Sequence, residues 1–254
     1  MDQVWSDWVE ICAITLARLD QSKFDTRESR YLDIVKKYKK EELHLFVIAF
    51  ASLVKAFDHY VEQGEIQDVL GQIYMAMNMG NDRTGQFFTP FDVSLLMARI
   101  TITSGTLQSI EQWGFMSMSE PTCGAGGMVI ASARAVQESG YNYQKQLHVM
   151  ATDIDSRCVH MTFIQMALLH IPGIVVHGNG LSQERWNIWY TPAHIMGGWS
   201  DRILERNKQE RQISVKEIQT NEIHNEDLSE VKTENFFPEL SVKDLLPADQ
   251  LQLF

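Results

Sequence analysis

The sequence has 254 residues, 44% hydrophobic and 22% charged, with a formal net charge of -11. That profile fits a globular chain with room for one large domain or a domain with appendages. A protein that grips DNA alone usually presents a basic face, so the acidity weakens any claim of strong autonomous DNA binding; a local basic patch, with DNA contact indirect or partner-assisted, stays compatible with it.

Residues 1–84 read as a helical N-terminal domain. VWSDWVEICAITLARL carries apolar residues at helical spacing, and LHLFVIAFASLVKAFDHYV is a nearly all-apolar helix predicted to be buried. IQDVLGQIYMAMNMG follows, and the methionine and aromatic stripes of this region belong to a core. No run of about 18 apolar residues occurs, so no membrane span is expected. MDQVWSDWVEIC lacks the basic region and cleavage site of a secretory signal.

Residues 85–200 change character. A helix with Pro90 in its first turn, FDVSLLMARI, leads through a polar connection to a glycine loop at 120–127. Helix MVIASARAVQE, strand LHVMATDID, helix RCVHMTFIQMALLHI and strand IVVHGN come next, with Pro172 and Gly173 as punctuation. This alternation predicts the α/β class, with a parallel sheet and right-handed crossovers. Residues 201–254 form a third region. GGWSDRILERNKQERQ reads as an exposed helix, and the acidic stretch beyond it as a flexible tether without a core face.

Cys12, Cys123 and Cys158 are widely spaced and form no CxxC, which fits reduced thiols in a cytoplasm and predicts no metal site. EPTCGAGG is neither GxGxxG nor a loop ending in Lys-Ser/Thr, so a nucleotide phosphate is disfavoured. ATDID ends the second strand with carboxylates, where an acid accepts hydrogen bonds from a ribose diol. HGN ends the third, where a side-chain amide can read an adenine edge. Loop, acid and polar strand end in this order describe an adenosine ligand without a pyrophosphate, and S-adenosylmethionine fits best.

GQFFTP at 85–90, EPTCGAGG at 120–127 and ATDID at 151–155 resemble motifs of the adenine-N6 DNA methyltransferases, most closely the modification subunit of type I restriction systems. The resemblance covers roughly residues 65–195 and implies a Rossmann-like cofactor domain. By position it implies that Phe88, Thr89 and Pro90 help hold the methionine end of the cofactor. Cys123, Gly124, Ala125 and Gly126 line the loop, and Asp153, with Ile154 beside it, binds the ribose hydroxyls. Asn179 stands where the family has an aspartate near the adenine amino group, and its amide oxygen can still accept that bond. Plainer roles stand beside these. Cys123 has no neighbouring base and is a small loop residue, His148 and His177 flank strands as structural residues, and Asp155 caps the next helix.

The family's catalytic signature, Asn/Asp-Pro-Pro-Tyr/Phe, does not occur in these residues. Its nearest counterpart is Thr191-Pro192-Ala193-His194, where the threonine oxygen can accept one hydrogen bond from a target adenine and the imidazole can stack on the flipped base. We read it as degenerate or repurposed. Residues 199–254 contain no credible set of further strands, so the cofactor domain is expected to be truncated, with the target-base half missing or supplied by a further protein subunit. The terminal QLQLF resembles the peptide with which bacterial proteins bind the replication sliding clamp. That mode puts Gln250 at the mouth of an apolar pocket and Leu251, Leu253 and Phe254 in contact with it. Two functions follow. One is an S-adenosylmethionine-binding protein brought to replicating DNA by the clamp. The other is an active methyltransferase with a variant Thr-Pro-Ala-His motif.

Overall fold

Helices open the chain, and a small sheet with its crossover helices forms in its second half. The structure, a computed structural model, describes residues 2–77 and 88–224, with side chains up to residue 213. The helices α1 (Asp2–Leu16), α2 (Phe24–Val35), α3 (Lys40–Glu62), α4 (Val69–Ala76), α5 (Phe91–Thr101) and α6 (Ser104–Trp113) come before any strand. The strands are β1 (Met116–Glu120), β2 (Leu147–Asp153), β3 (Gly173–Asn179) and β4 (Glu184–Tyr190), in sheet order β1-β2-β3-β4. Helices α7 (Gly127–Glu138) and α9 (Ser156–Leu168) make the crossovers between the parallel strands, with the single turn α8 (Tyr143–Gln146) before β2. The short α10 (Pro192–Met196) and α11 (Trp199–His224) follow the sheet.

Two features of the sheet position the site. Glu120 lies opposite Ala151 and Asp153 opposite His177, so the carboxyl ends of β1, β2 and β3 finish at one edge. β4 runs antiparallel to β3 with Ile174 opposite Tyr190, so it ends at the other edge. The core sits between sheet and helices. α1 packs along α9 and α5 along α7, and Val159, Met161, Phe163, Ile164 and Met166 of α9 are buried. Each such side chain contributes roughly 1.5–3 kcal/mol relative to exposure. Asp155 caps α9 as expected, accepting from the Arg157 N–H at 2.8 Å.

The expectation that the apolar helix at 43–61 is buried is overturned. In α3, Leu53 and Phe57 are buried, but Leu45 and Val47 are 62% and 64% exposed. By length and composition alone α3 is apolar enough to cross a membrane, although its packed side belongs to the core described above. Composition counts apolar residues without assigning them to faces, and only one face of α3 is packed. The segment expected to be a tether also begins as helix, since α11 continues to His224. The described residues up to Arg206 form one compact unit, and those from Asn207 onward belong to a second. Gln250, Leu251, Leu253 and Phe254 lie outside the described residues, as do residues 85–87 of the GQFFTP stretch.

Candidate cofactor site

The loop between β1 and α7 owes its shape to two glycines. Gly124 and Gly126 have φ of 54° and 101°, the left-handed region that glycine enters without steric cost. A Cβ on Gly124 would stand 3.0 Å from the Phe88 ring, and one on Gly126 3.2 Å from the Thr162 hydroxyl. Backbone bonds fasten the loop to β2. Cys123 N–H donates to the Thr152 carbonyl at 2.8 Å, and Gly126 N–H closes a turn onto the Cys123 carbonyl at 2.8 Å. Below the loop lies α9, where the Thr162 hydroxyl donates to the Gly124 carbonyl at 2.8 Å and the Gln165 amide donates to the Ala125 carbonyl at 2.7 Å. No side chain caps α7 at Gly126.

Asp153 is the acidic centre of this edge. Its Oδ2 accepts from the Gly124 N–H at 2.8 Å and its Oδ1 from the Asp155 N–H at 2.9 Å. Each oxygen keeps a further lone pair, enough to receive a vicinal diol. Burial raises the carboxyl above the ordinary aspartate range, and the two N–H donors offset part of that rise. Ile154 is exposed at the rim, with His177 Nε2 3.1 Å from its carbonyl. The turns after β1 and β3 meet there as well, since a Cβ on Gly180 would collide with the Pro121 carbonyl.

Asn179 reaches this edge with a changed polarity. Its Oδ1 accepts from the N–H groups of Leu181 at 2.9 Å and Ser182 at 3.3 Å. The oxygen expected to accept from an adenine amino group is therefore committed to the chain's own turn, and the amide offers N–H donors instead. Phe88, whose ring is 5.1 Å from that of Tyr74, extends an aromatic row that continues to Trp5 of α1 at 6.0 Å. Thr89 is exposed and Pro90 stands at the N-cap of α5. Cys123 is buried, and burial pushes its thiol up, away from nucleophilic character.

Thr191, Pro192 and His194 are not part of this constellation. Because β4 is antiparallel, they follow its end at the sheet edge opposite Asp153. Thr191 is fully buried, and its hydroxyl donates to the Ile171 carbonyl at 3.0 Å while accepting from the N–H groups of Gly173 at 3.0 Å and His194 at 3.2 Å. No capacity is left for a base. Pro192 opens α10. His194 Nδ1 lies 2.9 Å from His148 Nε2, and its Nε2 lies 3.0 Å from the Ser200 hydroxyl. Both imidazoles are buried, and burial lowers their basicity. The expected catalytic segment is a structural joint.

Thr162 and Gln165 escape a sequence reading that follows apolar periodicity. Their signal was two polar residues three apart in VHMTFIQMALL, hence on one helix face. The N-6 DNA methylase family matches the chain over residues 65–234. Among solved structures, one described as a class I S-adenosylmethionine-dependent methyltransferase from Listeria monocytogenes is similar at 14% identity with a TM-score of 0.38. The match covers 72% of this chain and 56% of that one, so the chain spans little more than half that structure's length. No curated protein matches the chain.

Proposed function

The chain belongs to the N-6 DNA methylase family, and on that premise we propose that it forms the cofactor half of an adenine-methylating assembly whose target-base half comes from a partner. S-adenosylmethionine is the cofactor, and when bound it supplies an electrophilic methyl group on a sulfonium. The donor set fits it. Asp153 accepts from the ribose diol, Gly124 and Gly126 let the backbone approach, and Cys123 and Ala125 complete the loop. Asn179 donates to an acceptor on the adenine edge, and Ile154 gives the ring an apolar contact. Phe88, Thr89 and Pro90 border the methionine end.

The observation that carries this reading is the Gly124–Asp153 bond at 2.8 Å, which joins loop and acid at the sheet edge where α/β folds bind ligands. The rival, a chain that methylates DNA alone through Thr191 and His194, has both groups buried at the other edge. Resemblance over residues 65–195 favours a relation to type I modification subunits. The terminal Gln250, Leu251, Leu253 and Phe254 favour delivery to newly replicated DNA by the bacterial sliding clamp. Such delivery offsets the weak DNA affinity of an acidic chain. Three widely spaced cysteines with no CxxC suit a cytoplasmic setting.

Incubating the purified chain with radiolabelled cofactor and unmodified DNA, with and without clamp, tests the proposal. We expect cofactor binding with little methyl transfer by the chain alone. Robust turnover on naked DNA would refute the division of labour, and absence of cofactor binding would refute the site.

A further inference from the structure

We propose that Thr162 and Gln165 of α9, with Asp68 behind Gln165, are positioning residues that set the shape of the cofactor loop and tie cofactor affinity to the helical N-terminal segment. The proposal rests on the reading that residues 123–126 hold S-adenosylmethionine.

Thr162 and Gln165 are both 0% exposed and Asp68 is 3% exposed, so each polar group requires a partner. Gln165 uses its whole side chain. Its Oε1 accepts from the Leu70 N–H at 3.1 Å, which fixes the amide orientation because a backbone N–H can only donate. The two hydrogens on Nε2 then go to Asp68 Oδ1 at 2.6 Å and to the Ala125 carbonyl at 2.7 Å. One amide thereby joins the first turn of α4, the carboxylate that caps it and the cofactor loop.

Asp68 is held from two further sides. Its Oδ1 accepts from the Gly71 N–H at 2.9 Å. A Cβ on Gly127, the first residue of α7, would stand 3.1 Å from its Oδ2, so the starts of α4 and α7 converge on one carboxylate. Burial raises its carboxyl above the ordinary range, and the Gln165 and Gly71 bonds oppose that rise. One turn earlier on the same face of α9, Thr162 donates to the Gly124 carbonyl at 2.8 Å. Two consecutive loop carbonyls are therefore drawn toward α9. In a trans peptide the N–H points opposite to the C=O, so this anchoring turns the Ala125 N–H away from α9. Releasing either carbonyl frees a peptide plane in the segment where Gly124 must also meet Asp153.

The test measures calorimetric binding of S-adenosylhomocysteine to the full chain, with a thermal melt of each variant. Thr162→Val keeps the shape and deletes the donor, and we expect about tenfold weaker binding from the loss of one buried hydrogen bond. Thr162→Ser restores the donor and is expected to return affinity to within about threefold of wild type. Asp68→Ala should weaken binding although it touches no ligand. A Gln165→Leu chain that fails to fold leaves the Thr162 pair to decide. The proposal is overturned if Thr162→Val melts lower yet binds as tightly as wild type, for its role is then only structural. The link to the N-terminal segment is overturned if Asp68→Ala binds normally. Should wild type bind but Asp153→Ala not, with Thr162→Val unaffected, the cofactor reading survives and this inference fails. A wild type that binds nothing removes the reading itself.

Discussion

The Gly124 N–H donates to Asp153 Oδ2 across 2.8 Å, so the acid at the end of β2 also shapes the loop at the end of β1. Asp153→Ala therefore removes two things at once: the acceptor for a ribose hydroxyl and the partner that holds Gly124. We expect cofactor affinity to fall by about 1.5–3 kcal/mol, the range of a charge-assisted hydrogen bond. Titration calorimetry with S-adenosylhomocysteine measures it, and an unchanged affinity would exclude Asp153 from the site.

Affinity should also depend on pH. Burial raises the Asp153 carboxyl, so it takes up its proton at higher pH than an ordinary aspartate. Acceptance from the diol needs the carboxylate, so binding weakens as pH falls through that raised value. Stability moves the other way in the same window. A group with a folded pKa above its unfolded one binds protons more readily in the fold, so acidification there favours folding. Asp153→Asn should flatten the binding profile.

Thr191→Val tests the joint at the far edge. The hydroxyl serves three backbone groups in a site without water access. Its loss should cost about 2 kcal/mol of stability, because buried donors and acceptors are left unpaired. Chemical denaturation measures this. Cofactor affinity should stay within about twofold, since a stability loss this small leaves the chain folded under binding conditions. A variant that is fully stable yet loses methyl transfer would instead return Thr191 to the chemistry.

His148, His160 and His194 should make the fold acid-sensitive. All three are buried with basicity lowered chiefly by burial; the His160 ring is held at about 4 against an ordinary 6.5. Arg202 adds to the effect on His148, as does His194 itself. A depressed folded pKa means that the unfolded chain binds more protons below the ordinary value, so stability falls as pH drops from 6.5 toward 4. His194→Asn should reduce the slope of that decline, as read from melting temperature against pH.

A peptide of the last ten residues should bind the sliding clamp in the micromolar range, about 8 kcal/mol, as a short linear motif does. Deleting Leu253 and Phe254 should abolish that binding and leave cofactor affinity intact. Equal clamp binding by the truncated chain would end the recruitment idea.

The residues announced some elements and concealed others. β2, β3 and α9 were legible because LHVMATD and GIVVHGN are apolar runs next to caps and breakers. β1 was hidden in a polar connection, since MSMSE is an edge strand alternating serine with methionine and needs only one buried side. The direction of β4 lay in loop length and not in side-chain pattern: residues 180–183 are too few for a parallel crossover, so a strand at 184–190 turns back against β3. WNIWY is a poor apolar run, so that strand was hidden, and the placement of Thr191 and His194 with it. In α3 the fault lay in taking apolar content for burial. For the cofactor loop, the glycines and Asp153 were visible as motifs, while Thr162 and Gln165 acted through backbone carbonyls that no motif records.

The reversal of β4 also limits redesign. Writing Asn-Pro-Pro-Tyr over residues 191–194 would give the chain the family's signature in print, yet at a place where its side chains meet Ile171, Gly173 and His148. Grafting by alignment would thus fail, and the expected product is an unstable protein without new activity. A working graft must bring its tetrapeptide to the end of the sheet where Asp153 lies, on a strand that runs parallel to β1.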